Sequence, residues 1–202
     1  MKTKILALLL AFATTPIFAE VSGSVGVTSD YFFRGVSQTQ EPSAVQGGVD
    51  ASKNGFYAGA WASTVDFGTE TEIEYDFYGG YAVALDDLAI DVGIIQYNYD
   101  GDVGSVEEYF VVMNYAWASF GFWFDQDNAN PDYSQIEVSL PFITFADVTL
   151  RHGEFSNDTD YSQITVSKDL GNKFTLALEV VSEESVELDL DERIAFTLGY
   201  TF

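Results

Sequence analysis

Residues 193–202 alternate between two kinds of side chain. Ile194, Phe196, Leu198, Tyr200 and Phe202 occupy every second position, and the residues between them are small or polar. A period of two places successive side chains on opposite faces of a β-strand. The segment therefore predicts a strand with one apolar face, which would either close a soluble β-sandwich or face lipid in a membrane barrel.

Residues 1–19 have the features of a secretory signal peptide. Lys2 and Lys4 make the start positive, Ile5–Ala13 is an apolar run too short to span a bilayer, and Ala19 is a small residue suited to cleavage. An uncleaved N-terminal anchor is the alternative. We expect an exported protein in which residues 20–202 form one domain.

Charge and cysteine content exclude several classes of function. The chain carries 8 Lys+Arg against 32 Asp+Glu, a formal net charge of −24, so nucleic acid is not an expected partner. It has no cysteine, which excludes a disulfide framework and a thiolate metal site. Aromatic residues make up 16% of the sequence, which favours a folded domain over a disordered acidic chain.

The period-two pattern recurs along the chain and predicts about twelve strands, the range typical of outer-membrane barrels. Longer acidic connections alternate with short hairpin turns such as the one at Asn54-Gly55. This alternation predicts an all-β fold: a transmembrane antiparallel up-and-down β-barrel, with its short turns and both termini in the periplasm. A soluble sandwich or lipocalin-like barrel has the same periodicity, but it would place the apolar residues inside.

Many aromatic residues lie near the ends of the predicted strands, where membrane barrels carry interfacial girdles. The residues expected in these girdles are Tyr31, Phe33, Tyr97, Tyr109, Tyr115, Phe124, Tyr133, Tyr161, Phe174, Tyr200 and Phe202.

Three stretches early in the predicted mature part resemble a known family. They are 29–39 (SDYFFRGVSQT), 42–50 (PSAVQGGVD) and 55–63 (GFYAGAWAS). In their order and spacing they resemble the TorF-type porin family of proteobacterial outer-membrane proteins, also called the Gcw_chp group. The resemblance implies an outer-membrane barrel with a pore role, and it implies no mechanism at the level of single residues.

The polar faces of the predicted strands supply the candidate lumen residues. An acidic lumen favours cations or neutral solutes over anions. Arg34, in the Phe-Phe-Arg-Gly stretch, has two interpretations: it pairs with lumen acids at a constriction, or it forms a buried ion pair that holds the first loop. The full candidate set is Arg34, Asp50, Glu72, Glu74, Asp76, Asp91, Glu108, Glu137, Asp147, Arg151, Glu179 and Arg193.

The predicted function is passive diffusion of small hydrophilic solutes across the outer membrane, with no cofactor, no metal site and no catalysis. One alternative is a structural or lipid-interacting barrel with a closed lumen. The other is a lipid-hydrolysing barrel, for which His152 and Ser156 are the only candidate pair we identify.

Two partners in the envelope follow from the sequence. Tyr200 and Phe202 are expected to form the signal that the barrel-assembly machinery reads. Acidic loops at 100–102, 125–127 and 183–191 could contact lipopolysaccharide through Ca²⁺ or Mg²⁺, although none has the full spacing of a calcium loop, and a solvated acidic rim is the favoured interpretation.

Overall fold

The structure is a computed structural model that describes residues 20–101, 103–183 and 193–202. The predicted signal peptide therefore lies outside the described residues, as does most of the acidic 183–191 loop. The described strands are β1 (Glu20–Thr28), β2 (Phe32–Phe33), β3 (Val36–Ser37), β4 (Ala44–Lys53), β5 (Phe56–Thr64), β6 (Ile73–Leu85), β7 (Leu88–Tyr99), β8 (Val106–Tyr115), β9 (Ala118–Asp125), β10 (Tyr133–Ser139), β11 (Asp147–Phe155), β12 (Asp160–Gly171), β13 (Phe174–Glu183) and β14 (Ile194–Thr201).

Twelve of these strands form a closed antiparallel barrel in the order β1-β14-β13-β12-β11-β10-β9-β8-β7-β6-β5-β4. β1 pairs with both β4 and β14, so the sheet has no free edge. The predicted all-β, up-and-down barrel is therefore confirmed. β2 and β3 form a separate two-stranded hairpin between β1 and β4. Among the described residues, no helix is long and apolar enough to cross a membrane.

Tight turns join the strands at one end of the barrel. Asn54 and Gly55 have φ angles of 53° and 86°, the positive values that a two-residue hairpin loop requires. Asp86 and Asn172 take the same backbone region at the turns between β6 and β7 and between β12 and β13. The other end carries the 29–43, 65–72, 100–105 and 126–132 connections, so the predicted alternation holds. The exceptions are the longer 140–146 connection among the short turns and the short 156–159 turn opposite it.

The two faces of the barrel are chemically opposite. Phe196 and Leu198 point outward and are 57% and 48% exposed, whereas Ala195, directly before Phe196, is fully buried. The inner face buries polar groups instead, including Glu74 and Glu108. A soluble barrel or sandwich would bury its apolar residues and expose its polar ones. The alternative of a soluble fold is therefore wrong for the described residues.

The first and last strands meet at a seam that Phe202 completes. The Phe202 N–H donates to the Gly23 carbonyl over 2.9 Å, and the Gly23 N–H donates to the Phe202 carbonyl over 3.1 Å. A Cβ on Gly23 would stand 2.5 Å from the Phe202 ring, so the glycine leaves the space that the ring occupies. Tyr200 packs beside it, 4.9 Å from Phe174 and 6.3 Å from Phe202 between ring centroids.

Deleting Phe202 is expected to impair closure of the barrel because it removes both terminal hydrogen bonds to Gly23. The fraction of folded protein, measured by the heat-dependent gel shift after refolding into liposomes, should fall relative to wild type. Phe145→Ala is the matched control, since this ring is 74% exposed in the 140–146 connection. Equal folded fractions for the Phe202 deletion and the control would contradict the role of the seam.

Candidate functional site

The first loop, residues 29–43, folds back instead of extending β1. The pattern predicts a strand running as far as Gly35, but β1 ends at Thr28, whose hydroxyl donates to the Asp30 carbonyl over 2.6 Å. The Asp30 carboxylate then accepts hydrogen bonds from the hydroxyls of Ser37 and Thr39, at 2.6 and 2.7 Å. This buried carboxylate holds the two arms of the loop together, so the chain reverses at 29–31.

The hairpin formed by β2 and β3 crosses the interior to the far side of the ring of strands. Its turn contains Arg34 and Gly35, with φ angles of 48° and 90°. The Arg34 guanidinium donates to both carboxylate oxygens of Glu108 on β8, at 2.7 and 2.6 Å. Both side chains are largely buried, at 10% and 4% exposure. The first loop therefore narrows the lumen at the level of this ion pair. We call this narrowed part of the lumen, at Arg34 and Glu108, the constriction.

Aromatic rings surround the guanidinium of Arg34. Its central carbon lies 4.2 Å from the ring centroid of Tyr133, 4.8 Å from Phe33 and 5.5 Å from Trp123, distances at which cation–π attraction operates. Burial by itself lowers the pKa of Arg34, but the hydrogen bonds to Glu108 and the negative charge nearby reverse this effect and raise the pKa. Arg34 therefore stays charged in the constriction.

Gly35 allows the hairpin to pack closely against the inner face. A Cβ at this position would stand 2.7 Å from Cγ of Tyr161, and the positive φ disfavours any other residue. Phe32 packs on the buried cluster of Tyr133, Tyr161 and Val181. The sequence interpretation offered a constriction or a loop-holding ion pair, and the geometry combines the two.

Carboxylates paired with tyrosines line the inner face of the barrel. The Tyr57 hydroxyl donates to Asp91 over 2.8 Å, and the Tyr78 hydroxyl donates to Asp50. The Tyr97 hydroxyl adds a third hydrogen bond to Glu108, over 3.0 Å. Each of these acids is a candidate residue, and each carries a phenol partner that the sequence interpretation did not assign.

Glu74 and Asp76 are buried side by side on the inner face of β6. Glu74 accepts a hydrogen bond from Tyr99 over 3.0 Å, but its second oxygen and one oxygen of Asp76 have no partner among the described residues. Tyr31 of the first loop lies against them. Burial raises the pKa of the Tyr31 hydroxyl well above its ordinary value, and the nearby charges of Glu74 and Asp76 raise it further.

Of three further candidate acids, two contact polar side chains and one lies at an end of the barrel. Arg151 donates to Glu137 through Nη2 over 2.7 Å, and Glu179 accepts from Gln163 over 2.9 Å. Asp147 is the exposed first residue of β11, at the end of the barrel with the short turns. The Arg193 carbonyl accepts from the Val181 N–H, which places this residue directly before β14.

Glu72 is a correction to the predicted set, because it does not lie on a strand. β6 begins at Ile73, and Glu72 is exposed in the 65–72 connection. The N–H groups of Glu72 and Ile73 both donate to the Asp100 carboxylate, at 2.9 and 3.0 Å. The hydrogen bond from Ile73, and then that from Glu72, lowers the pKa of Asp100, so the carboxylate is ionised and accepts both bonds at neutral pH.

Five residues assigned to the interfacial girdles lie inside the barrel instead: Tyr31, Phe33, Tyr97, Tyr133 and Tyr161. Their position near a strand end did not distinguish a girdle from an inward ring. The odd or even position of a residue along its strand does distinguish them. Tyr97 pairs with Asp76 across β6 and β7 and therefore lies on the same inner face. Tyr109, Tyr115, Phe124, Phe174 and Phe202 are exposed, as expected for girdle residues.

A polar cluster lies around His152 on the outer face. Nδ1 of His152 lies 3.2 Å from the Ser162 hydroxyl, and Nε2 of His152 lies 3.8 Å from an Asp160 oxygen. The sequence paired His152 with Ser156, but the register of β11 and β12 places Ser162 directly opposite. In the described ranges, no three His, Asp or Glu side chains come together in a way that would hold a metal ion.

The structure describes only some of the predicted acidic loop residues. Asp102 and residues 184–192 lie outside the described residues. The Asp125 carboxylate accepts hydrogen bonds from Asp127 and Asn130 within its own loop, so it serves to shape the 126–132 connection.

The sequence of residues 11–197 matches the family described as "Bacterial protein of unknown function (Gcw_chp)". The chain belongs to the Gcw_chp family. No curated protein matches it significantly in sequence.

Solved structures with the same fold fall into two functional groups. The KdgM porin is similar with a TM-score of 0.63 at 8% identity, over 90% of this chain and 98% of that chain. The NanC porin gives 0.54 at 11% identity, over 91% and 99%. The outer membrane phospholipase A from Escherichia coli gives 0.52 at 10% identity, over 91% and 96%. At these identities the likeness establishes the fold, which porins and a phospholipase share.

Removing the Arg34 charge is expected to release the first loop from the constriction. Arg34→Met leaves Glu108 buried without its cation, a change that costs about 3–5 kcal/mol in other buried pairs. Hydrogen–deuterium exchange of residues 32–37 should become faster, while exchange in the barrel strands should change little.

The matched control is Arg151→Met, which breaks the more exposed pair with Glu137 and should change the exchange of residues 32–37 much less. Adding Glu108→Gln to Arg34→Met should recover part of the protection, because the uncompensated buried charge is then gone. Unchanged exchange of residues 32–37 in Arg34→Met would show that the ion pair does not hold the hairpin.

Proposed function

We propose that this chain is an outer-membrane channel for passive diffusion of small hydrophilic solutes, with a preference for cations and neutral molecules. The observation that supports this function best is the inverted barrel: apolar side chains cover the outside, and carboxylates, hydroxyls and phenols line the inside. Such a cylinder satisfies every ladder hydrogen bond within hydrocarbon while keeping a polar interior.

The proposed location is the bacterial outer membrane, with residues 1–19 as a cleaved signal peptide. The short turns and both termini would lie on the periplasmic side. The 29–43, 65–72 and 126–132 connections would lie at the extracellular end of the barrel. The TorF-type porin designation fits this proposal. Phe202 at the seam is the residue we expect the barrel-assembly machinery to read, and the acidic loops are where lipopolysaccharide would be met.

The proposed charge preference follows from how the acids are paired. Glu108 and Glu137 each contact an arginine, so their charge is compensated locally. Asp50 and Asp91 have neutral phenol partners and add uncompensated negative charge to the lumen when ionised. A low-dielectric barrel strengthens the effect of such charges on passing ions.

Planar-bilayer recording tests the channel. Wild type should show unitary current steps and a reversal potential of the sign expected for cation preference in a salt gradient. The double variant Asp50→Asn, Asp91→Asn should move the reversal potential towards zero, and Glu154→Gln, which removes a charge from the outer face, should leave it unchanged. Arg34→Met should raise the conductance because the hairpin no longer narrows the lumen.

Two results would contradict the proposal at different levels. Well-folded protein that gives no current steps, even with Arg34→Met, would favour the alternative of a structural or lipid-interacting barrel with a closed lumen. Current steps with anion preference would leave the channel in place and overturn the argument from the acids.

The alternative of a lipid-hydrolysing barrel has one observation in its favour, the cluster of Ser162, His152 and Asp160 on the outer face. Hydrolysis through a serine also needs donors for the oxyanion, commonly free backbone N–H groups. Here Ser162 and His152 lie within paired ladders on both sides, so the strand amides around them are already used. We therefore propose that the barrel is not an enzyme.

Release of fatty acid from a fluorescent phospholipid in mixed micelles tests this point. Wild type and Ser162→Ala should be equally inactive, in the presence or absence of Ca²⁺. Hydrolysis by wild type that Ser162→Ala abolishes would establish the enzyme instead.

A further inference from the structure

A cavity of about 160 Å³ lies on the inner face away from the constriction. It spans the neighbouring strands β13, β14, β1, β4 and β5, on both sides of the seam. Its inward side chains are Ser24, Gln46, Trp61, Thr175 and Thr201. No charged side chain lines it, which sets this part of the lumen apart from the acidic face of β6 to β8.

Two glycines create this space. Gly26 and Gly199 are partners across β1 and β14, and both line the cavity. A Cβ on Gly199 would meet nothing nearer than the Thr175 carbonyl oxygen at 4.0 Å. One on Gly26 would meet backbone atoms at 3.3 and 3.7 Å and the Thr197 methyl at 4.0 Å. Neither residue has a positive φ, so the backbone does not need glycine here. Their effect is to leave the inner face open.

The lining has the chemistry of a site for a neutral molecule with many hydroxyl groups. Ser24, Thr175 and Thr201 carry hydroxyls that both donate and accept, and the Gln46 amide supplies two donors and an acceptor. The Trp61 indole offers a flat apolar face and stands 5.4 Å from Tyr31 between ring centroids, at 60°. A sugar ring presents hydroxyls at its rim and C–H groups on its face, so it matches both parts of this lining.

Charge excludes the other classes of small polar solute. An anion would meet the carboxylate of Asp76, which lies opposite Trp61 on the next strand, and that of Asp50, two positions beyond Gly48 on β4. These carboxylates attract a cation, but the lining itself contains none, so a cation bound there would lose its water without gaining a direct partner. The volume of about 160 Å³ leaves room for a small ring.

We propose that this cavity binds one ring of a neutral polyhydroxylated solute, stacked on Trp61 and hydrogen-bonded to Gln46, Ser24, Thr175 and Thr201. The inference deepens the proposed channel function by naming a solute class. Binding itself does not depend on an open channel, so it can be tested separately from conduction.

Saturation-transfer NMR on the full mature barrel, refolded in a detergent without a sugar headgroup, measures this binding. The probe is methyl α-D-glucopyranoside, compared with sodium glucuronate as the anionic probe and glucosamine hydrochloride as the cationic one. The neutral sugar should receive saturation from the protein and should bind more strongly than either charged probe.

Three variants and a control locate the site. Gly199→Leu fills the cavity without removing any proposed contact and should abolish the signal. Trp61→Ala should weaken affinity by about tenfold, the loss expected for about 1.4 kcal/mol of ring contact. Gln46→Ala should weaken it by a smaller factor, and Trp117→Phe, an exposed tryptophan in the turn between β8 and β9, should change nothing.

Each variant is first checked for folding by its gel shift, and Gln46→Ala is the mildest change if the others fold poorly. No transfer to the neutral sugar, equal transfer to glucuronate, or undiminished transfer in folded Gly199→Leu would each overturn the proposal. Current steps without sugar binding would leave the channel and remove the solute assignment. Sugar binding without current steps would support the solute assignment and count against the channel.

Discussion

Closure of the strand ladder is the constraint on which the rest of this structure depends. With apolar side chains outside, any backbone N–H or C=O group left at a sheet edge would face hydrocarbon without a partner, at a cost of several kcal/mol. β1 and β14 meet along five residue pairs from Ser24 to Thr28, and Phe202 extends the contact to Gly23. Once the cylinder is closed, period two determines which side chains point inward.

Inward-pointing polar groups need partners, and the first loop supplies several of them. Arg34 compensates Glu108, which would otherwise be a buried carboxylate with only a phenol beside it. Tyr31 of the same loop lies against Glu74 but brings no positive charge. The acids of the inner face and the loop that crosses it are therefore two parts of one arrangement, since the buried carboxylates attract a cation and aromatic rings that only an inward loop can bring.

The sequence was sufficient for the parts of this arrangement that depend on local pattern. Strand number, the pairing of β14 with β1 and the outward position of Phe196 and Leu198 all follow from period two and from the turn residues. The contact of Arg34 with Glu108 spans 74 positions, and no single-sequence pattern reports such a distance. Glu72 shares its phase with Glu74, but two hydrogen bonds to Asp100 end the strand between them. The partner of His152 was missed for the same reason, because Ser162 reaches it only through the register of β11 and β12.

The lumen is chemically divided, and the division follows the strand order. β6, β7 and β8 carry inward acids and tyrosines, while the parts of β13, β14, β1 and β4 that line the cavity carry Ser, Thr, Gly and Gln. Asp50 and Glu179 lie elsewhere on β4 and β13. The hairpin docks on β8 through Arg34 and packs through Phe32 on Tyr133, Tyr161 and Val181, whereas none of its residues lines the cavity at the seam. In the channel that we propose, a solute would meet both the field of the acids and the hydroxyls of the seam side, so the two sides would act on different properties of the same molecule. The acids would act on its charge, and the seam side would act on its shape and its hydroxyl groups.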